Sequence, residues 1–152
     1  MSLSYEVKRI SAADTLPLRQ KVMKPFLTQG QCVNAGDDLA TTLHFGLFHE
    51  NQLITIASFM LESHPDFFAG YPYRLRGMAT DQAFQGHGFG QKIVRFAMDY
   101  LQQQRCDLIW CNAREKAFPF YESLGFLYQG DFFDIPQIGP HKVMYHRIIS
   151  RR

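Results

Sequence analysis

Gln85, Gly86, His87, Gly88, Phe89 and Gly90 place three glycines at alternate positions immediately ahead of a helical run. Glycine adopts positive φ at little cost and lets a ligand approach the main chain, while the first N–H groups of a helix have no acceptor inside it. Residues of these types at this spacing suit an anion. The helix dipole adds roughly 0.3 to 1 kcal/mol per negative charge at that end, so a pyrophosphate is the expected guest. Two common nucleotide sites do not fit. The dinucleotide fingerprint needs glycine at position 91, where Gln91 stands, and the phosphate loop of nucleotide hydrolases needs Gly-Lys-Ser or Gly-Lys-Thr, where the chain has Gly90, Gln91, Lys92 and Ile93.

Such a loop must be held by a strand before it and a helix after it. Residues 73–80 read as that strand, interrupted by Gly77, and glycine inside a strand marks a bulge or a close approach by another group. Beyond Gly90, Ile93, Val94, Ala97 and Leu101 recur at helical spacing. Residues 107–111 then read as a short buried strand, because Leu108, Ile109 and Trp110 are continuous. Ala117, Phe118, Tyr121 and Leu124 share one face of a second helix, which Gly125 ends. Upstream, the sequence predicts an alternating strand over 5–10 and a short helix capped by Ser11 or Asp14, with Pro17 in its first turns and Pro25 as its stop. A loop over 26–39, with room for a short helix, precedes an antiparallel hairpin of 42–49 and 53–61 joined by Glu50, Asn51 and Gln52. Strands at 126–129 and 142–149, separated by an aromatic loop over 131–140, complete the chain. The expected class is α/β (α+β): a mixed, mostly antiparallel central sheet flanked by helices.

The pattern Gln-x-x-Gly-x-Gly over 85–90 lies between a strand and an amphipathic helix, and Phe-Tyr-Glu-Ser-Leu-Gly-Phe follows at 120–126. In these two motifs and their order the chain resembles the GNAT superfamily of acetyl-CoA-dependent N-acetyltransferases. The resemblance implies a single GNAT-like domain over 1–152, with splayed strands forming an acyl-CoA cleft. It gives Met78, Ala79 and Thr80 the role of pairing through their backbone with the pantetheine arm. The amides of Gln85, Gly86, His87, Gly88, Phe89 and Gly90 would hold the pyrophosphate. An N–H near Met78 would polarise the thioester carbonyl, as a preformed donor stabilises a developing oxyanion. Tyr121 matches the tyrosine thought to hold the leaving sulfur or protonate it, although a core tyrosine would look the same. Many members carry Asn seven residues before that tyrosine, where this chain has Arg114; Asn112 lies two residues earlier, and Arg114, Asn112 or neither contacts the cofactor. The strand segment YRLRGMAT also lacks the glutamate often found there. An attacking amine must lose a proton, and the candidates to take it are Glu62, through a water, or His141.

Composition limits the alternatives. A chain of 152 residues sits near the roughly 150 expected of one domain, and 46% hydrophobic residues allow a real core. The net charge of +2 announces neither nucleic acid nor a membrane surface as partner. The opening residues show no apolar targeting segment, and 53–61 is too short to span a bilayer, so the chain is read as soluble and cytoplasmic. Cys32, Cys106 and Cys111 are an odd count; if Cys106 and Cys111 share one strand they lie roughly 16 Å apart on opposite faces, and are bystanders. No spacing suits a metal ion. Phe67, Phe68, Tyr71, Tyr73, Phe132 and Phe133 would cover the core, make a homodimer contact, or wall a small amine. The expected activity is direct acetyl transfer from acetyl-CoA to a primary amine of a small molecule or peptide. The rival reading is a non-catalytic acyl-CoA sensor or protein-interaction domain.

Overall fold

Glu50 and Asn51 both lie in the left-handed region, at φ 48° and 66°, and so close a two-residue primed turn whose twist matches its flanking strands. For that reason Gln52 opens the second strand of the hairpin instead of belonging to the connection. A computed structural model describes residues 3–148. Seven strands form one sheet: β1 (Glu6–Ile10), β2 (Leu43–His49), β3 (Gln52–Leu61), β4 (Pro72–Thr80), β5 (Leu108–Arg114), β6 (Leu127–Ile135) and β7 (Gly139–Arg147), hydrogen-bonded in the order β1-β2-β3-β4-β5-β7-β6. Helices α1 (Ala12–Leu18), α2 (Phe89–Gln103) and α3 (Phe118–Ser123) accompany it. The mixed, mostly antiparallel sheet flanked by helices is thus the class expected. The chain divides into two compact units, Met1–Met60 with Arg76–Met98 and Leu61–Leu75 with Asp99–Arg152.

In the first unit, β1, β2 and β3 are antiparallel. Residues 43–47 and 54–60 are buried without alternation, because helices cover both faces. Leu18 of α1 packs with Ile56 and Ala79 on one face, and Phe96 of α2 meets Phe45 edge-on at 6.0 Å on the other. Ser11 and Asp14 are both used, in one capping box: Asp14 N–H donates to Ser11 Oγ and Ser11 N–H to Asp14 Oδ2, each over 3.1 Å. After Pro17 the helix loosens into a π-helical turn, Arg19–Met23, that ends before Pro25. The loop that follows does carry a short turn of helix, at Gly30–Cys32.

In the second unit, β4 and β5 are parallel over three pairs, Pro72 with Leu108, Tyr73 with Ile109 and Arg74 with Trp110, whereas β5 pairs with β7 along its whole length. Helix α3 ends in a left-handed Gly125 at φ 87°, with Phe126 N–H bonded to Tyr121 C=O and Gly125 N–H to Glu122 C=O. Three expectations are corrected. Strand β5 runs to Arg114 and excludes Cys106, so the two cysteines do not share a strand. Residues 131–135, read as loop, belong to β6: Gly130 at φ 77° shifts the register between Gln129 and Phe133, and pairing with β7 then resumes. Only 136–138 turn the chain. Strand β7 accordingly begins earlier than 142, and residue 149 of the expected strand lies outside the described residues.

Candidate active site

Strand β4 carries Gly77 at φ +69°, with the Arg19 guanidinium close against it, and continues through half-buried Met78, buried Ala79 and half-buried Thr80. The side chain of Ala79 joins Leu18 and Ile56 in the core, and Thr80 Oγ1 lies 3.2 Å from Thr55 Oγ1. What these residues offer a ligand is therefore main chain. Asp81 caps the turn that follows, accepting Ala83 N–H over 3.0 Å, and pairs with Lys21 at 2.9 Å. Lys21's hydrogen bond, reinforced by the Ala83 amide, holds the Asp81 carboxyl below its ordinary range. Gln85 donates from Nε2 back to Thr80 C=O over 3.2 Å, closing the loop's base.

Gln85, Gly86, His87 and Gly88 are exposed, and Gly86 and Gly88 sit at φ 87° and 76°. Phe89, by contrast, is buried against Tyr5, ring centroids 6.1 Å apart, and anchors the start of α2. Lys92 N–H donates to Gly88 C=O over 3.1 Å, so the amides of Phe89, Gly90 and Gln91 precede the first closed turn of the helix. A methyl group on Gly86 would meet nothing within 4 Å. An exposed glycine loop with clear space around it, feeding the N-terminus of a fifteen-residue helix, fits a diphosphate.

The second unit holds the remaining candidates in three places. Tyr121 is buried and hydrogen-bonded to Cys111. Burial, and then the neighbouring thiol, push the Tyr121 phenol well above its ordinary value. Burial pushes Cys111 up to about 12 and Cys106 up to about 11, so both remain thiols at neutral pH. Glu62 and Asn112 line a groove of about 520 Å³ together with His64, Arg74, Trp110 and Asp131. Trp110 Nε1–H donates to Glu62 C=O over 2.9 Å, Arg74 Nη1 lies 3.4 Å from Glu62 Oε2, and its guanidinium stands 5.3 Å from the Trp110 ring centre. His64 meets the same ring edge-on at 4.9 Å. His141 and Arg114 do not line this groove. His141 is buried, its Nδ1 2.8 Å from Gly139 C=O, and Arg114 is exposed opposite it at the end of β5.

Sequence reasoning did not single out Arg74, His64 or Trp110. The period of two along β5, which sets Trp110 and Asn112 on one face, was the signal that could have found the groove. It also missed a buried network in the first unit that includes His44. His44 Nδ1 lies 2.7 Å from Ser58 Oγ and Nε2 3.0 Å from Asp37 C=O, and Arg19 donates to both Asp37 and Ser58.

The family model for the acetyltransferase (GNAT) family matches residues 13–126, from α1 through the glycine loop to the end of α3. The chain belongs to the GNAT acetyltransferase family. This acyltransferase is 37% identical over 147 residues to a Bacillus subtilis protein named "Uncharacterized N-acetyltransferase YitI", a match covering 97% of this chain and 99% of that one. Among solved structures, the ribosomal-protein-S18-alanine N-acetyltransferase from Escherichia coli superposes with a TM-score of 0.76 at 17% identity, covering 98% of this chain and 97% of that one. An aminoglycoside 6'-N-acetyltransferase complexed with coenzyme A gives a TM-score of 0.76 at 12% identity, covering 97% and 99%. At such identities these two matches establish the shared fold. No helix among the described residues of the acetyltransferase is long and apolar enough to cross a membrane, and no group of three or more His, Cys, Asp or Glu among them is placed to hold a metal.

Proposed function

We propose that the chain acts as a single acetyltransferase domain that passes the acetyl group of acetyl-CoA directly to a primary amine. The observation that carries this reading is the exposed loop Gln85–Gly88, with Gly86 and Gly88 at positive φ, leading into the open N-terminus of α2. In this reading the amides from Gln85 to Gly90 hold the pyrophosphate, and the main chain of Met78, Ala79 and Thr80 pairs with the pantetheine arm. The Met78 amide polarises the thioester carbonyl. Asn112, which lines the groove, is preferred over exposed Arg114 as the additional contact to the arm.

The groove beside Glu62 takes the amine. Glu62 is preferred as the proton acceptor because its carboxylate lines that groove, whereas His141 is buried and turned to Gly139 C=O. The amine nitrogen forms its bond to the acetyl carbon, the carbon–sulfur bond breaks, Glu62 takes the ammonium proton through a water, and Tyr121 supplies one to the thiolate. Relatives of the same fold named for N-acetylation of a ribosomal-protein alanine and of aminoglycosides support a nitrogen acceptor. The test is release of free CoA across a panel of primary amines, with calorimetric titration of CoA alongside. Amine-dependent release that is lost in Glu62→Gln while CoA still binds supports the reading; CoA binding without turnover on any amine replaces it with a sensor.

A further inference from the structure

Arg19 is a buried cation whose surroundings use most of its donors. Its side chain is 3% exposed. Asp37 takes the fork, with Nη1 to Oδ2 at 2.6 Å and Nη2 to Oδ1 at 3.1 Å, while Cys32 C=O accepts from Nη1 and Ser58 Oγ from Nη2. Asp37 is itself fixed by Asn34 N–H, and His44 bridges Ser58 Oγ to Asp37 C=O. An arginine this constrained cannot swing away.

Arg19 Nε, however, is buried without a hydrogen-bond partner. The edge that carries it faces β4. A methyl group built on Gly77 would stand 3.4 Å from Nε and 3.5 Å from Nη2, so this glycine packs against the guanidinium. Leaving a buried donor unpaired is costly, and native proteins keep such groups where they serve a purpose. An ion pair that merely filled the core would not need its free edge beneath Gly77.

We infer that Arg19 is a positioning residue for acetyl transfer: its buried guanidinium, clamped by Asp37, supports the left-handed backbone at Gly77 and places positive potential under the Gly77–Met78 peptide. In a medium that screens weakly, a cation so close strengthens the Met78 N–H as a donor to a carbonyl gaining negative charge. The inference rests on the proposed role of the Met78 amide. A side chain at Gly77 would be strained by φ +69° alone, since a Cβ there would meet the guanidinium at ordinary van der Waals distance.

Infrared difference spectra of acetyl-CoA carrying a 13C-labelled thioester carbonyl test this directly, without turnover. The band moves to lower frequency on binding to the unaltered protein, and Arg19→Met is expected to lose most of that movement. In the same variant kcat falls about tenfold, less than the loss expected for removing the donor itself, while KM for acetyl-CoA changes less than about threefold. Arg19→Lys, which keeps the charge, retains the band shift even though its melting temperature drops. Folded Arg19→Met with an unaltered band and kcat overturns the inference. Should Arg19→Met fail to fold, loss of the band shift in folded Arg19→Lys overturns it equally, and retention supports it. An unaltered protein that binds acetyl-CoA without moving the band and transfers no acetyl group refutes the Met78 reading itself, a separate result.

Discussion

Trp110 Nε1–H donates to the backbone carbonyl of Glu62 over 2.9 Å, and so ties the start of the 62–71 connection to the face of β5. One hydrogen bond thereby fixes the origin of the side chain proposed to accept the proton. The indole also carries the Arg74 guanidinium on its ring, so the residue orients both charged partners in the groove. Trp110→Phe keeps an aromatic ring but leaves the Glu62 carbonyl without its donor. Removing one partner of a buried bond costs about 1–3 kcal/mol, and because this one is part-buried, urea denaturation should read a loss near the lower end of that range. KM for the amine should rise severalfold while the CoA dissociation constant stays the same.

Tyr121→Phe deletes the hydroxyl that meets Cys111 and leaves the ring packed on Phe126 at 5.3 Å. Loss of a general acid typically costs roughly 10²- to 10⁴-fold in rate, so kcat should fall within that range while melting temperature changes little. Because burial holds the phenol well above its ordinary value, Tyr121 stays protonated across the working range. Any alkaline fall in kcat below pH ~10 must then belong to another group, and should persist when the pH profile is recorded with a more reactive thioester.

Burial alone would raise the Asp37 carboxyl, but the Arg19 hydrogen bonds and charge, with the Asn34 amide, outweigh it and hold the group below its ordinary 3.8. A folded-state value below the unfolded one adds stability above the unfolded value, and that contribution is lost as pH falls through the folded one. The unaltered protein should therefore show an acid-side decline in unfolding free energy below pH ~4 that is shallower in Asp37→Asn. Chemical denaturation at a series of pH values from 6 to 2 checks the difference in slope.

Gly86→Ala separates backbone conformation from steric crowding. A methyl group has room there, so its cost comes from φ 87°, which for a residue with a Cβ is about 1–2 kcal/mol. An exposed loop can relax to avoid that strain, and the amides then lose their aim. We expect CoA affinity to fall by about tenfold with the unfolding midpoint nearly unchanged, as measured by calorimetry and thermal denaturation.

Local rules made much of this protein legible. The helix start at Ser11 and Asp14, the helix run after Gly90, the left-handed Gly125 and the irregular glycine at 77 are written in residue types at short range. The two motifs at 85–90 and 120–126 were sufficient for the family. Long-range relationships were not legible. Residues 131–135 form a strand only because β7 offers a partner after the register shift at Gly130, and Asp131, Asp134 and Pro136 masked that pairing as loop chemistry. The groove escaped notice because Glu62, Arg74, Trp110 and Asp131 come from four separate segments. His44 looked ordinary because nothing near it in sequence announces Ser58 or Asp37, and a buried charge network has no local period.

The turn at Glu50 and Asn51 has a bearing on Arg19, a residue far away along the chain. His44 stands opposite Ser58 in the hairpin, and both side chains point to the face where the guanidinium is buried. Side chains alternate sides at every step, so lengthening that connection by one amino acid, unless the irregularity beside Leu47 absorbed it, would set Ala57 or Phe59 across from His44 and send the serine hydroxyl to the opposite face, where Phe45 packs on Phe96. The parity of a hairpin thus decides whether a charge in the interior keeps its company.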